Sequence, residues 1–458
     1  MKRILLLAFC FCVYGTMSAQ LPTNIQGRLQ DTLNVLYNQY NFKGLSVAVS
    51  YKNFGVWTAA AGVSDDQTAL RPDQLIGIGS NTKTFISTLL LQLREHNQID
   101  LEDTIGTWVS GLPNINGAIT IKQLLNHTSG IADYLENSVI MDSLNINPDK
   151  FWERTELLQL TPAPYFNPGA SIEYSNTNYL LAGYIAEQVT GRPIQELLRD
   201  SIYAPAGLMH TYFPPFEPVT DEYASFWTDL NGDNILDNGM NWNQPGSVLP
   251  VQINTLARDA GAIVATAGDV VLFWRALLEG DLIAKQTLNT LMFQPSGFGN
   301  QNSDYGMGVF MEKYRGNRTF SHGGTWIGQI NSNMNDTLND IYIAVLSNQD
   351  SLDNDYTQRV AAALYDVLYN EQATSATDLK KTKQIKLFPN PTQGNVSIDG
   401  LSSKETIYLY DIMGKLLKRI ECTGPQDIIS LNEFADGIYY LQIIDRSGLI
   451  YSEKLIKQ

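Results

Sequence analysis

Residues 77–93, GIGSNTKTFISTLLLQL, place a serine and a lysine three residues apart where an apolar helix begins, and the fold turns on how this stretch is read. Phe85, Ile86, Leu89, Leu90 and Leu93 recur at the spacing of one buried helix face, and Asn81 and Thr82 suit a helix start. Alone, Ser80-x-x-Lys83 fits two readings: a catalytic pair one helical turn apart, or a helix start with a lysine on its wet face. The tripeptide spacing arises often by chance, so the rest of the chain must decide.

The 458 residues can bury a large core and suit two or three domains, and 44% hydrophobic with 17% charged residues is ordinary for globular protein. The opening MKRILLLAFCFCVYGTMSAQ carries Lys2 and Arg3, an apolar run from Ile4 to Val13 and small residues up to Ala19. That pattern predicts an export signal over residues 1–20, cleaved near Ala19 or Gln20. Past it, no segment approaches the ~20 apolar residues of a membrane helix, so no transmembrane segment is expected in the mature chain. Cys422 would be its only cysteine, which excludes an internal disulfide. The net charge of -16 becomes two units more negative once Lys2 and Arg3 leave, and argues against nucleic acid and anionic membranes as partners.

Outward from Ser80, residues 25–42 have helical apolar spacing, and GLSVAVSY (44–51) and GVWTAAAGVS (55–64) read as strands around a tight turn at Lys52–Gly55. Helical patterns dominate residues 120–210 and recur at AGDVVLFWRALLEG (267–280). Strands return in RTFSHGG (318–324), TWIGQINSNMN (325–335) and DIYIAVLSN (340–348), followed by a helix over 355–369. Strands from both chain ends can share one antiparallel sheet flanked by helices, with the helical middle as a second lobe: an α/β fold of the α+β kind, with a cleft between lobes. This domain is expected over 21–372. EQATSATDLKKTKQ lacks apolar periodicity and gives a linker at 373–384. Residues 385–458 alternate apolar and polar residues between turns, as a small, separate β-sandwich would.

Acyl transfer through a serine needs a nucleophile, a base, a proton route to the leaving group and donors for the oxyanion. On a helix Lys83 can reach Ser80 if burial holds its amine neutral. Y-x-N occurs at Tyr51, Tyr165 and Tyr174, but only FNPGASIEYSNTNYLLAG (166–183) sets Tyr174 and Asn176 on a loop before an apolar helix; a packed tyrosine at a helix start is the plainer reading. His322-Gly323-Gly324-Thr325 ends a strand, where glycines admit a substrate backbone and the Thr325 amide could join that of Ser80 around an oxyanion. A strand-end histidine beside glycines is as often structural.

In that order, Ser80-x-x-Lys83, Tyr174-x-Asn176 and His322-x-Gly324 resemble the three motifs of the class C β-lactamase and penicillin-binding serine hydrolase family. ITIKQLLNHTSGI (119–131), LMHTYF (208–213) and residues 166–183 and 267–280 are similar to its connecting segments, so the resemblance covers about residues 25–370. It implies a serine β-lactamase/DD-peptidase-like fold and no cofactor. It implies further that Ser80 is acylated, Lys83 and Tyr174 share the proton, Asn176 holds the substrate amide, and His322 stands behind the tyrosine and the substrate carboxylate. Where true β-lactamases of the class have lysine, this chain has His322, a version that resembles D-amino-acid peptidases, carboxypeptidases and esterases. The implied substrate is a small peptide, amide or ester, D-Ala-D-Ala peptides first. A true β-lactamase, or a surface protein that binds penicillin or peptidoglycan fragments without turnover, are the alternatives.

His127 in NHTSG reads as scaffold beneath the site, and His96 and His210 as bystanders. DLNGDNILD (229–237) offers Asp229, Asn231, Asp233 and Asp237 at calcium-loop spacing, but it lacks the sixth-position glycine and has Met240 where the acid belongs, so an acidic turn is the stronger reading. LFPNPTQGNVSI (387–398), IYLYDIMGK (407–415) and DGIYYLQI (436–443) resemble the type IX secretion sorting domain of Bacteroidetes. That likeness implies the secretion machinery as a partner, passage through the outer membrane, and a secreted or surface location.

Overall fold

The computed structural model describes residues 19–146, 150–229, 235–238, 251–297, 299, 303–350, 355–378, 385–401, 405–411, 416–422, 424–445 and 448–458. The expected signal lies outside them except for its last two residues, as do Asn231 and Asp233 of the calcium candidate. The chain divides after Asp366 into two compact units.

The first unit starts with helix α1 (Thr23–Tyr40) and strands β1 (Gly44–Tyr51) and β2 (Trp57–Gly62). Helices α2 (Thr82–Glu95), α3 (Asn176–Thr190), α4 (Val251–Gly261) and α5 (Ala267–Glu279) follow. The closing strands are β3 (Ser303–Tyr305), β4 (Phe310–Tyr314), β5 (Asn317–Ser321), β6 (Gly324–Trp326), β7 (Gln329–Asp336) and β8 (Ile341–Ser347). One antiparallel sheet runs β2-β1-β8-β7-β5-β4-β3, with β6 paired to β7. Both chain ends do meet in it: β1 lies beside β8 with Val47 opposite Val345. All eight residues of β1 and all seven of β8 are buried, which explains why these apolar, β-branched runs take the centre of the sheet.

Helix α5 packs on β1 and β8, while α2, α3 and α4 pack on one another and the turn before α2 meets β6 and β7. Ser80 therefore stands where the helical lobe touches the sheet. The core joins the lobes: Phe85 of α2 stacks on Phe273 of α5, and Leu89, Leu180, Leu256 and Leu346 are buried with them.

Three details depart from the sequence expectation. Strands β3 and β4 extend the sheet, because SDY and FMEKY are too short to show a period of two. Helix α6 (Asp355–Asp378) outruns the expected end at Tyr369 and takes in the first half of the expected linker. Its extension, EQATSATD, lacks an apolar stripe but contains Glu, Gln and Ala, which favour helix without packing. The wet face that one of the two readings gave Lys83 is absent, since Lys83, Thr84, Ser87 and Thr88 are buried with the leucines. Thr84 donates to the Gly308 carbonyl and Ser87 pairs with Tyr179, so those polar groups are satisfied internally.

A buried ion cluster ties the helices behind the site. Arg154 donates to both carboxylate oxygens of Asp259 at 2.8 and 3.0 Å and also pairs with Glu187. Asp259→Asn leaves Glu187 as the one carboxylate facing the buried guanidinium, and breaking a buried pair costs about 3–5 kcal/mol. The variant is expected to unfold at clearly lower urea in a denaturation curve; an unchanged midpoint would show the cluster to be neutral for stability.

The second unit is a β-sandwich. One sheet runs β9 (Lys386–Phe388), β10 (Asn395–Asp399) and β13 (Gln426–Ser430). The other runs β12 (Leu416–Glu421), β11 (Thr406–Asp411), β14 (Gly437–Asp445) and β15 (Gly448–Lys457). Val396, Ile398, Ile407, Leu409, Leu441 and Ile443, alternate residues of their strands, fill its core with Cys422. No helix among the described residues is long and apolar enough to cross a membrane.

Candidate active site

Ser80 sits in a single 3-10 turn, Gly79–Asn81, that feeds α2. Gly79 has φ +49°, and a Cβ there would lie 3.0 Å from the Thr325 amide nitrogen. A Cβ on Gly324 would lie 2.0 Å from the Ile78 carbonyl. Only glycines permit this approach of turn and strand. Asn331 then staples it, its Nδ2 donating to the carbonyls of Ile78 at 2.8 Å and Gly324 at 3.0 Å. The Ser80 turn and the Thr325 strand are thereby brought together.

Lys83 is fully buried. Its Nζ lies 3.1 Å from Ser80 Oγ, 2.7 Å from Asn176 Oδ1 and 2.7 Å from the Ala260 carbonyl. That carbonyl follows a break in α4 at Arg258 (φ 36°, ψ -130°), which frees it from the helix ladder. Burial pulls the amine down from 10.5 to about 7, against the opposing charge of Asp133. A neutral amine has two N–H groups, and two pure acceptors take them, which leaves its lone pair for the Ser80 hydroxyl.

Asn176 starts α3. Its Oδ1 is taken by Lys83, while its Nδ2 and backbone amide donate to Asp133 Oδ2 at 2.7 and 3.0 Å. The side chain expected to hold substrate thus has both ends engaged inside the protein. Asp133, which the sequence reading missed, holds Asn176 and acts on Lys83 through it; burial raises its carboxyl above the usual range, and bonds from Asn176 and Leu135 oppose the rise. An aspartate in a loop has no spacing that marks it.

Tyr174 is half-buried beside Ser80, with its hydroxyl enclosed. Its hydroxyl closes no short hydrogen bond, and burial holds the phenol well above its ordinary value, with Ser80 opposing. Its ring lies 4.3 Å from that of His127 and 6.3 Å from that of His322. His127 Nδ1 accepts from the Ser175 amide and faces Asn178 Nδ2, so this imidazole braces the Tyr174 loop from below.

His322 ends β5. Its Nδ1 is 2.7 Å from the Gly323 carbonyl and its Nε2 3.1 Å from the Tyr305 hydroxyl. A carbonyl only accepts, so Nδ1 carries the proton and Nε2 receives the one from Tyr305. Burial, with the Lys83 charge adding, pulls the imidazole down to about 3, and it is neutral near pH 7. Its N–H points at its own chain. Tyr305, also missed in the sequence, ends a strand too short to mark it. His210 pairs with Asp221 and His96 follows the end of α2, both apart from this constellation. Asp237 pairs in a two-residue hairpin against Thr228, and among the described residues no His, Cys, Asp or Glu group could hold a metal ion.

Two cavities flank Tyr174. One, of about 400 Å³, is lined by Ser80, Tyr174, Phe310, Glu312, His322 and Thr325. The other, of about 390 Å³, is lined by Asp133, Glu136, Tyr165, Glu173 and Trp326 as well as Tyr174. Neither has a lysine or arginine among its described lining residues.

Comparison with known proteins places the molecule. Residues 23–366 match the family model described as Beta-lactamase, and residues 386–458 that of the Secretion system C-terminal sorting domain. The putative penicillin-binding protein PbpX of Bacillus subtilis is 29% identical over 237 residues, 51% of this chain and 53% of that protein, so the match spans about half its length. The D-stereospecific amidohydrolase structure from Streptomyces sp. is 28% identical with a TM-score of 0.63, covering 73% of this chain and 98% of that one. The D-amino acid amidase of Ochrobactrum anthropi SV3, complexed with D-phenylalanine, is 25% identical with a TM-score of 0.66, covering 76% and 99%.

Proposed function

The chain belongs to the beta-lactamase family of serine hydrolases, and on that premise we propose that it hydrolyses small amides or esters, D-amino-acid derivatives foremost, through an acyl-Ser80 intermediate. The observation that carries this reading is a buried lysine whose amine is pulled down to about 7 and lies 3.1 Å from Ser80 Oγ. Lys83 Nζ takes the Ser80 proton as Oγ attacks the carbonyl carbon. The oxyanion falls between the amides of Ser80 and Thr325. Tyr174 keeps its proton in the free enzyme, hands it to the departing nitrogen or oxygen, and recovers it from Lys83. Lys83 is therefore the base and Tyr174 the acid. Water reverses the sequence to release the acid product. Asn176 and Asp133 position Lys83.

Among the described residues no lysine or arginine lines either cavity, which favours amides and esters over D-Ala-D-Ala peptides and β-lactams, whose carboxylates find no such partner there. The names of the amidohydrolase and amidase relatives support the D-stereochemistry. The C-terminal sorting domain supports export, to the medium or the cell surface, through the secretion machinery.

A hydrolysis panel of D-amino-acid amides, p-nitrophenyl esters, D-Ala-D-Ala peptides and nitrocefin tests the reading. Amides and esters should turn over well ahead of the carboxylate-bearing substrates. A long-lived mass adduct on Ser80 with penicillin, without turnover of any substrate, would overturn it in favour of a penicillin-binding surface protein.

A further inference from the structure

Among its described lining residues, the cavity that holds Ser80 has one ionisable carboxylate, Glu312. It stands on β4 opposite Thr319 of β5, half-buried, and its hydrogen-bonding neighbour is Ser321 Oγ at 3.4 Å. Among the described residues no lysine, arginine or histidine pairs with it. The rest of the lining is neutral: Phe310 is apolar, His322 spends its N–H on Gly323, and Ser332, Asn333 and Gln358 are uncharged. The neighbouring cavity is acidic as well, through Glu136 and Glu173. An anionic group entering here meets a carboxylate in a partly dehydrated space, where like-charge repulsion is strengthened; a cation meets an unpaired partner.

We propose that Glu312 is the specificity residue of this cavity and receives a cationic group of the substrate, a primary or quaternary amine carried near the scissile bond. The carboxylate stands in the same cavity as the nucleophile, so a cation bound there holds the substrate's carbonyl beside Ser80. A serine at 3.4 Å orients the acid without neutralising it. Substrates with an amine-bearing group are thus selected, and substrates with an acidic group at that place are rejected by the same residue.

This inference rests on the reading of Ser80 as nucleophile, and the two can fail separately. The first test is binding, which needs no turnover. Choline, its uncharged isostere 3,3-dimethylbutan-1-ol and the anion 4-hydroxybutyrate are titrated against the full chain by ligand-observed NMR. Choline should bind about five- to tenfold more tightly than the neutral alcohol, the size expected for a half-buried ion pair, with 4-hydroxybutyrate weakest. Glu312→Gln should abolish that preference, and Glu312→Asp should retain part of it, with circular dichroism confirming that each variant is folded. A preference for choline that survives in Glu312→Gln, or that never exists in the parent, overturns the proposal. The second test compares kcat/KM for the N-acetyl-D-alanine esters of the same three alcohols and for D-alanyl against N-acetyl-D-alanyl p-nitroanilide. Glu312→Gln should erase the advantage of the cation at one end of the substrate, chiefly in KM; erasure at neither end counts against Glu312. Absence of any Ser80 acylation would instead sink the proposed function and leave the binding result standing.

Discussion

Replacing Ser80 with alanine is expected to lower kcat/KM toward a D-amino-acid ester by about 10⁴- to 10⁶-fold, with KM changed little. The nucleophile and its base act as one unit, so removing Oγ forfeits the covalent route entirely. What survives is binding and the oxyanion donors, which hold a substrate but offer no attacking atom. The change should cost little stability, because the Oγ contact to Lys83 is one of three that the amine makes and the other two remain. The melting temperature therefore serves as the control: a variant that keeps its fold and loses its rate locates the chemistry at Oγ. Fluorophosphonate labelling gives an independent readout, since the parent should gain one adduct at Ser80 and the variant none. Rates within tenfold of the parent would remove Ser80 from the mechanism.

The sequence carried the sheet and the motif order because both rest on local pattern. GLSVAVSY and DIYIAVLSN are continuous apolar runs, and runs of that length with β-branched residues have few other places to go than a central strand. Ser80 and Lys83 were legible as a pair by spacing, yet the state of the lysine was not. Its neighbours along the chain leave both a wet and a buried lysine open, and only the packing of α3 and α4 over α2 closes that face and lowers its charge. Asp133, Tyr305, Asn331 and Glu312 were illegible for the same reason. Asp133 and Asn331 act on Asn176 and Ile78, 43 and 253 positions away, while Tyr305 and Glu312 meet His322 and Ser321, 17 and 9 positions away, only once the strands pair, and no periodicity encodes these contacts. His322 shows a subtler limit. The family resemblance set it behind the substrate carboxylate, whereas the Gly323 carbonyl and the Tyr305 hydroxyl fix its tautomer and burial keeps it neutral.

Lys83→Met is expected to slow acylation by about 10³- to 10⁴-fold and to erase the rise of rate with pH that the parent shows through about 7. Methionine keeps most of the side-chain volume and removes the amine, so the Ser80 hydroxyl loses the lone pair that receives its proton. The limb follows in sign: below about 7 the amine is protonated and cannot accept, above it the amine is neutral and can, so the parent's rate rises with pH and then levels. Tyr174 cannot supply that limb, because its phenol is held far above the same range. Stability gives a second readout with its own sign. A lysine whose folded value near 7 lies below its unfolded 10.5 binds fewer protons when folded across that window, so folding gains stability as pH rises from 7 to 10.5. The full span corresponds to roughly 5 kcal/mol at one pKa unit per 1.36 kcal/mol. Methionine has no such term and instead leaves Asn176 Oδ1 and the Ala260 carbonyl unpaired, at about 1–3 kcal/mol each. Urea denaturation of both proteins at pH 6 and pH 9 separates the two effects: the parent should gain on the variant as pH rises, while the unpaired acceptors weigh equally at both values. If the difference between the proteins were the same at pH 6 and pH 9 and the parent's rate were flat through 7, Lys83 would be charged throughout and the base would have to be sought at Tyr174.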